Sequence, residues 1–157
     1  MQKIVPFLWF NNQAEEAMNF YISIFKNSKV VSVSRYPEGS PGPAGQVMVC
    51  SFMLNGQEFN ALNGGPTFKF TEAISFVINS ETQEEVDELW EKLTADGGKE
   101  SQCGWLKDKF GVSWQIIPTL LGKLLADKDK AKSQRVMQAM LKMKKIDCNA
   151  LMRAYNG

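Results

Sequence analysis

Strand, helix and then three strands are written twice in this chain, and that duplicated order limits its fold more than any single motif does. In the first copy, Lys3 to Phe10 is a nearly continuous apolar run, read as a buried strand with a defect at Pro6, which cannot donate to a ladder. Asn11-Asn12-Gln13 then opens a helix. Asn12 is placed to cap it, Glu15 fits a capping box, and Ala14, Met18, Tyr21, Ile22 and Phe25 recur at helical spacing. Lys29 to Tyr36 carries valines and reads as a strand, and Pro37 to Gly45 as a Pro/Gly loop. Gln46 to Leu54 and Gln57 to Leu62 flank Asn55-Gly56, whose positive-φ preference makes it a strong hairpin signal.

The second copy repeats the order with different side chains. Glu72 to Asn79 is a strand, Thr82 to Glu85 a capping box, and Val86, Leu89, Trp90 and Leu93 the apolar stripe of a helix ended by Gly97-Gly98. A strand near Lys99 to Leu106 follows, then a turn and a strand through Trp114. Phe20-Tyr21 answers to Leu89-Trp90, and the Asn55-Gly56 turn to Lys109 to Gly111. After Pro118 the composition changes to Leu, Lys, Ala and Met, with apolar residues at helical spacing from Leu120 to Tyr155; two or three short helices are expected there. The divisions are 1–66 for the first half, 67–118 for the second and 119–157 for a helical tail, all within one domain.

Within the second copy, Cys103 to Ile117 reads as an antiparallel hairpin. Beyond its turn, Val112, Trp114 and Ile116 share one face, while Ser113, Gln115 and Ile117 share the other. Trp114 belongs to a core. Gln115, one step along, points the opposite way, so a cavity on that side would receive a carboxamide.

Composition removes several classes of function. The chain has no histidine, so Ser-His-Asp and Cys-His mechanisms are impossible, and a metal site would need carboxylates, amides, thiols and water. Lys and Arg number 18 against 17 Asp and Glu, which gives no broad field for nucleic acid or acidic lipid. Cys50, Cys103 and Cys148 are odd in number and widely spaced, as thiols in a reducing cytoplasm are. No apolar run approaches the length of a membrane span, and Met1-Gln2-Lys3 leads straight into a strand without a signal-like segment. The length suffices to fold without disulfide or metal staples.

PFLWFNNQAEEAMNFY (Pro6 to Tyr21), LNGGPTFKFTEAISF (Leu62 to Phe76), CGWLKDKFGVSWQIIP (Cys103 to Pro118) and VMQAMLKMKKIDCNALMRAY (Val136 to Tyr155) together resemble the vicinal oxygen chelate superfamily, the fold of glyoxalase, bleomycin-resistance and extradiol dioxygenase proteins. Within it the sequence is similar to the PhnB-like branch, often labelled 3-demethylubiquinone methyltransferase. The resemblance implies an α+β fold of paired βαβββ modules, forming curved mixed sheets around a cleft with C-terminal helices, in a homodimer. Metal-dependent members bind a divalent ion through the first strand of each half and the last strand. Those positions fall here on Pro6 or Phe7, on Ala73 beside Glu72, and on Gln115. The first two offer no donor, and the third is a neutral amide where such relatives carry Glu. No metal and no cofactor are therefore expected. The methyltransferase label lacks its usual glycine-rich strand-to-helix turn, because Gly64-Gly65 is followed by Pro66 and another strand.

The candidate ligand-binding residues are Gln115, Ser113 and Asn60 for orientation, with Phe10 and Trp105 for apolar contact. Cys103 reads as an inert thiol and Lys142, Lys144 and Lys145 as a solvated face. The expected function is binding of a small organic molecule, partly aromatic or apolar, in a metal-free cleft of a cytoplasmic homodimer. A metal-dependent lyase, isomerase or dioxygenase with an oxygen-ligand set from Glu58, Glu72 and Gln115 is the alternative; a scaffold kept as an assembly partner is a third reading.

Overall fold

The computed structural model describes residues 1–157, which divide into two units, Met1–Phe70 and Thr71–Gly157. In the first unit β1 (Phe7–Phe10), α1 (Ala14–Ile24), β2 (Lys29–Arg35), β3 (Val47–Leu54) and β4 (Gln57–Asn63) build a four-stranded sheet of order β1-β4-β3-β2. β1 lies parallel to β4, and the other neighbours are antiparallel. The period of two in the sequence decides which side is dry. Cys50, Phe52, Phe59 and Ala61 point to the side covered by α1, whose own buried stripe is Ala14, Ala17, Met18 and Tyr21. Tyr21, Phe52 and Phe59 stack in series on that side, with ring centroids 6.5 Å and 5.8 Å apart. Burying rings of this size stabilises the unit by roughly 2 to 3 kcal/mol each.

The start of α1 is not made as the sequence suggested. Gln13 is the N-cap and makes no side-chain cap bond, and Asn12 does not cap. Instead, Ala14 N donates to Asn63 Oδ1 at 2.8 Å while Asn63 Nδ2 donates to the carbonyl of Val47 at 3.0 Å. A buried carboxamide at the end of β4 thus satisfies an orphan helix donor that a local cap would ordinarily take. The strand expected from Lys3 begins only at Phe7; Pro6 has no N–H for the ladder, although its carbonyl accepts from Asn60 N at 2.9 Å.

The second unit repeats the plan. β5 (Ser75–Ser80), α2 (Gln83–Thr94), β6 (Lys99–Glu100), β7 (Trp105–Lys107) and β8 (Ser113–Pro118) form a sheet of order β5-β8-β7-β6, with β5 parallel to β8. Both sheets are mixed, four-stranded and open, and each carries its helix on one side: an α+β fold. Here the local cap holds: Thr82 Oγ1 accepts from Glu85 N at 3.2 Å. α2 buries Val86, Leu89, Trp90 and Leu93 on the side of Leu106, Trp114 and Ile116. The single strand expected from Lys99 to Leu106 is divided in two. Cys103 and Gly104 both take positive φ, 57° and 84°, and break the ladder between β6 and β7.

Three helices complete the second unit: α3 (Thr119–Leu125), α4 (Lys130–Met140) and α5 (Cys148–Asn156). Leu121, Leu124, Val136, Ile146 and Leu151 form their shared core. The segment between α4 and α5 is tied to the rest of the unit by backbone bonds, Cys103 N to Met143 O and Gly104 N to Lys144 O, both 2.8 Å. The Gln83 carboxamide adds two more. It donates to Ile146 O at 3.0 Å and accepts from Cys148 N at 2.8 Å.

Candidate functional site

A helix takes one side of each sheet, which leaves the strands' other side chains on the opposite side. In the second unit, strand alternation turns Trp114 and Ile116 toward α2, where both are buried, and turns Gln115 and Ile117 away, where both are half-buried. Gln115 sits between Val77 of β5 and Trp105 of β7 in the ladder. Its Nε2 donates to Ser75 Oγ at 2.8 Å, which fixes the carboxamide and leaves Oε1 as an acceptor. Ser113, paired in register with Ser75, is only 1% exposed, and its hydroxyl has no partner. A buried hydroxyl left unpaired costs about 1 to 3 kcal/mol. Trp105 is half-buried beside Gln115.

The equivalent side of the first unit is built in the same way. Asn60 stands between Phe7 and Ser51 and accepts a hydrogen bond from Ser51 Oγ at 2.7 Å. Thus Asn60 and Gln115 occupy matching places in the two modules, each a carboxamide held by a serine on the neighbouring strand. Phe10 is placed differently. It lies on the buried side with Leu8, 3% exposed, edge-on to Phe70 at 5.1 Å between ring centroids. The structure therefore groups Gln115, Ser113 and Trp105 in one unit and Asn60 in the other, with Phe10 in the core.

Sequence reading overlooked Asp108. This carboxylate is 3% exposed and closes the β7–β8 turn, Oδ1 accepting from Phe110 N and Val112 N at 2.9 and 3.0 Å and Oδ2 from Trp114 Nε1 at 2.9 Å. Its position two residues before Phe110 in a Gly-ended turn is an Asx-turn signal that was available. Its work is to aim Trp114 inward and, by alternation, Gln115 outward.

Donor chemistry does not suit a divalent ion at the superfamily positions. Phe7 and Ala73 offer no side-chain donor; Gln115 and Ser113 are neutral. Glu72 is paired with Lys107, and that ammonium holds its carboxyl below the usual carboxylate range. No group of three His, Cys, Asp or Glu is gathered closely enough to hold an ion. The thiols are equally quiet: burial pushes Cys50 up to about 11, and burial raises Cys148 as well.

Two open mixed sheets of one strand order, each with its helix on one side, make up a fold of the vicinal oxygen chelate kind. Solved structures share that fold: the protein PA1353 from Pseudomonas aeruginosa, at 22% identity and TM-score 0.63 over 75% of this chain and 98% of that one, and the fosfomycin resistance protein FosX from Listeria monocytogenes, at 18% and 0.56 over 80% and 98%. The chain belongs to the PhnB-like family, whose sequence model, described as 3-demethylubiquinone-9 3-methyltransferase, matches residues 2–117. It is 45% identical to a PhnB protein from Bacillus cereus described in the same words, covering 75% of this chain and all of that one with a TM-score of 0.71. No curated protein matches.

Proposed function

We propose that this protein binds a small, uncharged, partly apolar organic molecule on the helix-free side of its sheets, without a resident metal, and does so as a cytoplasmic homodimer. The observation that carries the reading is the Gln115–Ser75 pair beside the orphaned hydroxyl of Ser113. It supplies neutral donors and acceptors among apolar neighbours and no anion to hold a cation. Phe7 and Val77, 53% and 52% exposed on those same sides, support a second copy or ligand covering them. The three unpaired cysteines support a reducing compartment, and no helix is long and apolar enough to cross a membrane.

The methyltransferase description finds no support in these residues. Both strand-to-helix turns, Asn11 to Gln13 and Glu81-Thr82, lack glycine, so neither brings backbone N–H groups close to a nucleotide-like cofactor. FosX is described as complexed with Mn(II) and sulfate. At 20% identity that likeness shows the fold alone, and the donors needed for such an ion are not assembled here.

The test is a thermal-shift screen of neutral aromatic and aliphatic compounds on purified protein, with elemental analysis of the same sample. A compound that raises the melting temperature of the wild type, loses that effect in Gln115→Ala, and acts on protein free of stoichiometric metal is the expected result. Stoichiometric zinc, manganese, nickel or iron that disappears in Gln115→Ala would overturn the reading.

A further inference from the structure

The first unit contains a cavity of about 430 Å³, at the ends of β1 and β4 beneath the long β2–β3 loop, within the range of small-molecule sites. Its floor is rigid. Asn63 is 4% exposed with both ends of its carboxamide engaged, Gly64 N donates to Phe10 O at 2.9 Å, and Gly65 N donates to Asn11 O at 3.2 Å. The Trp9 ring lies directly against Gly64 and its Nε1 donates to Gly65 O at 2.9 Å, so a side chain at 64 has no room.

Its roof is fixed as firmly. Tyr36 Oη donates to the carbonyl of Asn63 at 2.8 Å, and the Tyr36 ring lies so near Gly42 that a Cβ there would stand 2.5 Å from ring carbons. Tyr36 N to Gln46 O and Gly45 N to Tyr36 O, both 2.9 Å, close the neck of the loop. Pro41 and Pro43 stiffen the span between.

Besides Asn63, three carboxamides line this cavity, Asn11, Asn12 and Gln46, and the fold uses none of their side chains. Asn12 is the informative one: its sequence position is that of a helix cap, but the capping bond comes from Asn63. A carboxamide both donates and accepts, which suits hydroxyl groups in either sense. No lining residue is charged, so an ion entering would lose hydration without a counter-charge. The nearby Arg35 guanidinium is engaged bidentately by Glu15, at 2.6 and 3.1 Å. The proline rings offer apolar C–H surface.

We propose that this cavity is a second binding site, separate from Gln115 and Ser113, for an uncharged polyhydroxylated molecule of sugar size. Asn11, Asn12 and Gln46 hydrogen-bond its hydroxyl groups while Pro41 and Pro43 cover its C–H faces. The experiment is a titration of the ¹⁵N-labelled full chain with glucose, maltose and myo-inositol, with sulfate and methylammonium as charged controls. At least one sugar or polyol at about 100 mM, far above a millimolar Kd, shifts the side-chain amide signals of Asn11, Asn12 and Gln46 saturably. Asn12→Leu and Gln46→Leu, which remove no bond of the fold, each weaken that binding about threefold to tenfold with signal dispersion unchanged. Absence of any shift, equal shifts with the charged controls, shifts at the Gln115 side chain instead, or undiminished affinity in both leucine variants would each overturn the proposal.

Discussion

Asp108 shows how one side chain sets the geometry of a turn and, through it, of a site. Truncating it leaves Val112 N and Trp114 Nε1 without their acceptor in a buried place, where each unpaired donor costs about 1 to 3 kcal/mol. Asp108→Ala is expected to lower unfolding free energy by about 3 kcal/mol in urea titration, and a loss under about 1 kcal/mol would show that water replaces the carboxylate. A second residue gives a pH signature. Cys50 titrates near 11 in the folded chain because burial disfavours its thiolate, against a reference value of 9.0. The unfolded chain therefore releases this proton first as pH rises. Stability that is intact below pH 9 is lost between there and about 11, and Cys50→Ala should flatten that fall relative to wild type in denaturant curves taken at each pH. At this scale the sequence was partly legible. Trp114 as core and Gln115 as its opposite follow from alternation, whereas the cap of α1 did not, because its acceptor comes from Asn63 on another element. Phe10 was misleading for a related reason: an aromatic on a strand looks alike on either face until a helix chooses one.

Among the elements, the hairpin leading to Gln115 and the helical tail meet at Gly104. A Cβ there would stand 2.8 Å from Ile116 O and 2.9 Å from Ile117 Cδ1, and the φ of 84° already disfavours a side chain. Gly104→Ala is expected to cost about 1 to 3 kcal/mol and to loosen the bond from Gly104 N to Lys144 O. Limited proteolysis should then cut faster between α4 and α5; unchanged cutting there would show that the tail does not depend on this bond. Element types were readable from periodicity and turn chemistry, including the tail helices, and mixed sheets were implied by the resemblance. The division of Lys99 to Leu106 was not, since a left-handed Cys103 contradicts its ordinary preference and is imposed by the backbone bond to Met143.

For the molecule entire, the net charge of +1 conceals an uneven distribution. Residues 119–157 hold nine Lys and Arg against three Asp and Glu, and residues 1–118 hold nine against fourteen. Lys145 pairs with Asp87 and Lys144 approaches Glu100, so part of that basic charge is spent holding the tail to its own unit. Exposed pairs of this kind contribute at most about 1 kcal/mol each. If the proposed homodimer covers the helix-free sides, sedimentation equilibrium should return twice the chain mass of 17.6 kDa, and Phe7→Lys with Val77→Lys should return the chain mass itself. A wild type that sediments as a monomer would remove that part of the reading. The duplicated order of elements was legible, because a strand order repeated twice leaves few topologies for each unit.

The carboxamide of Asn63 reaches back 49 positions to begin a helix, and β1 joins its sheet solely through β4. On a ribosome, then, the opening strand has nowhere to settle until most of the first unit has emerged, and early pieces of it must wait open to chaperones. Pulse-labelled nascent chains halted near residue 55 should remain protease-sensitive, and those halted after the whole unit clears the exit tunnel should resist.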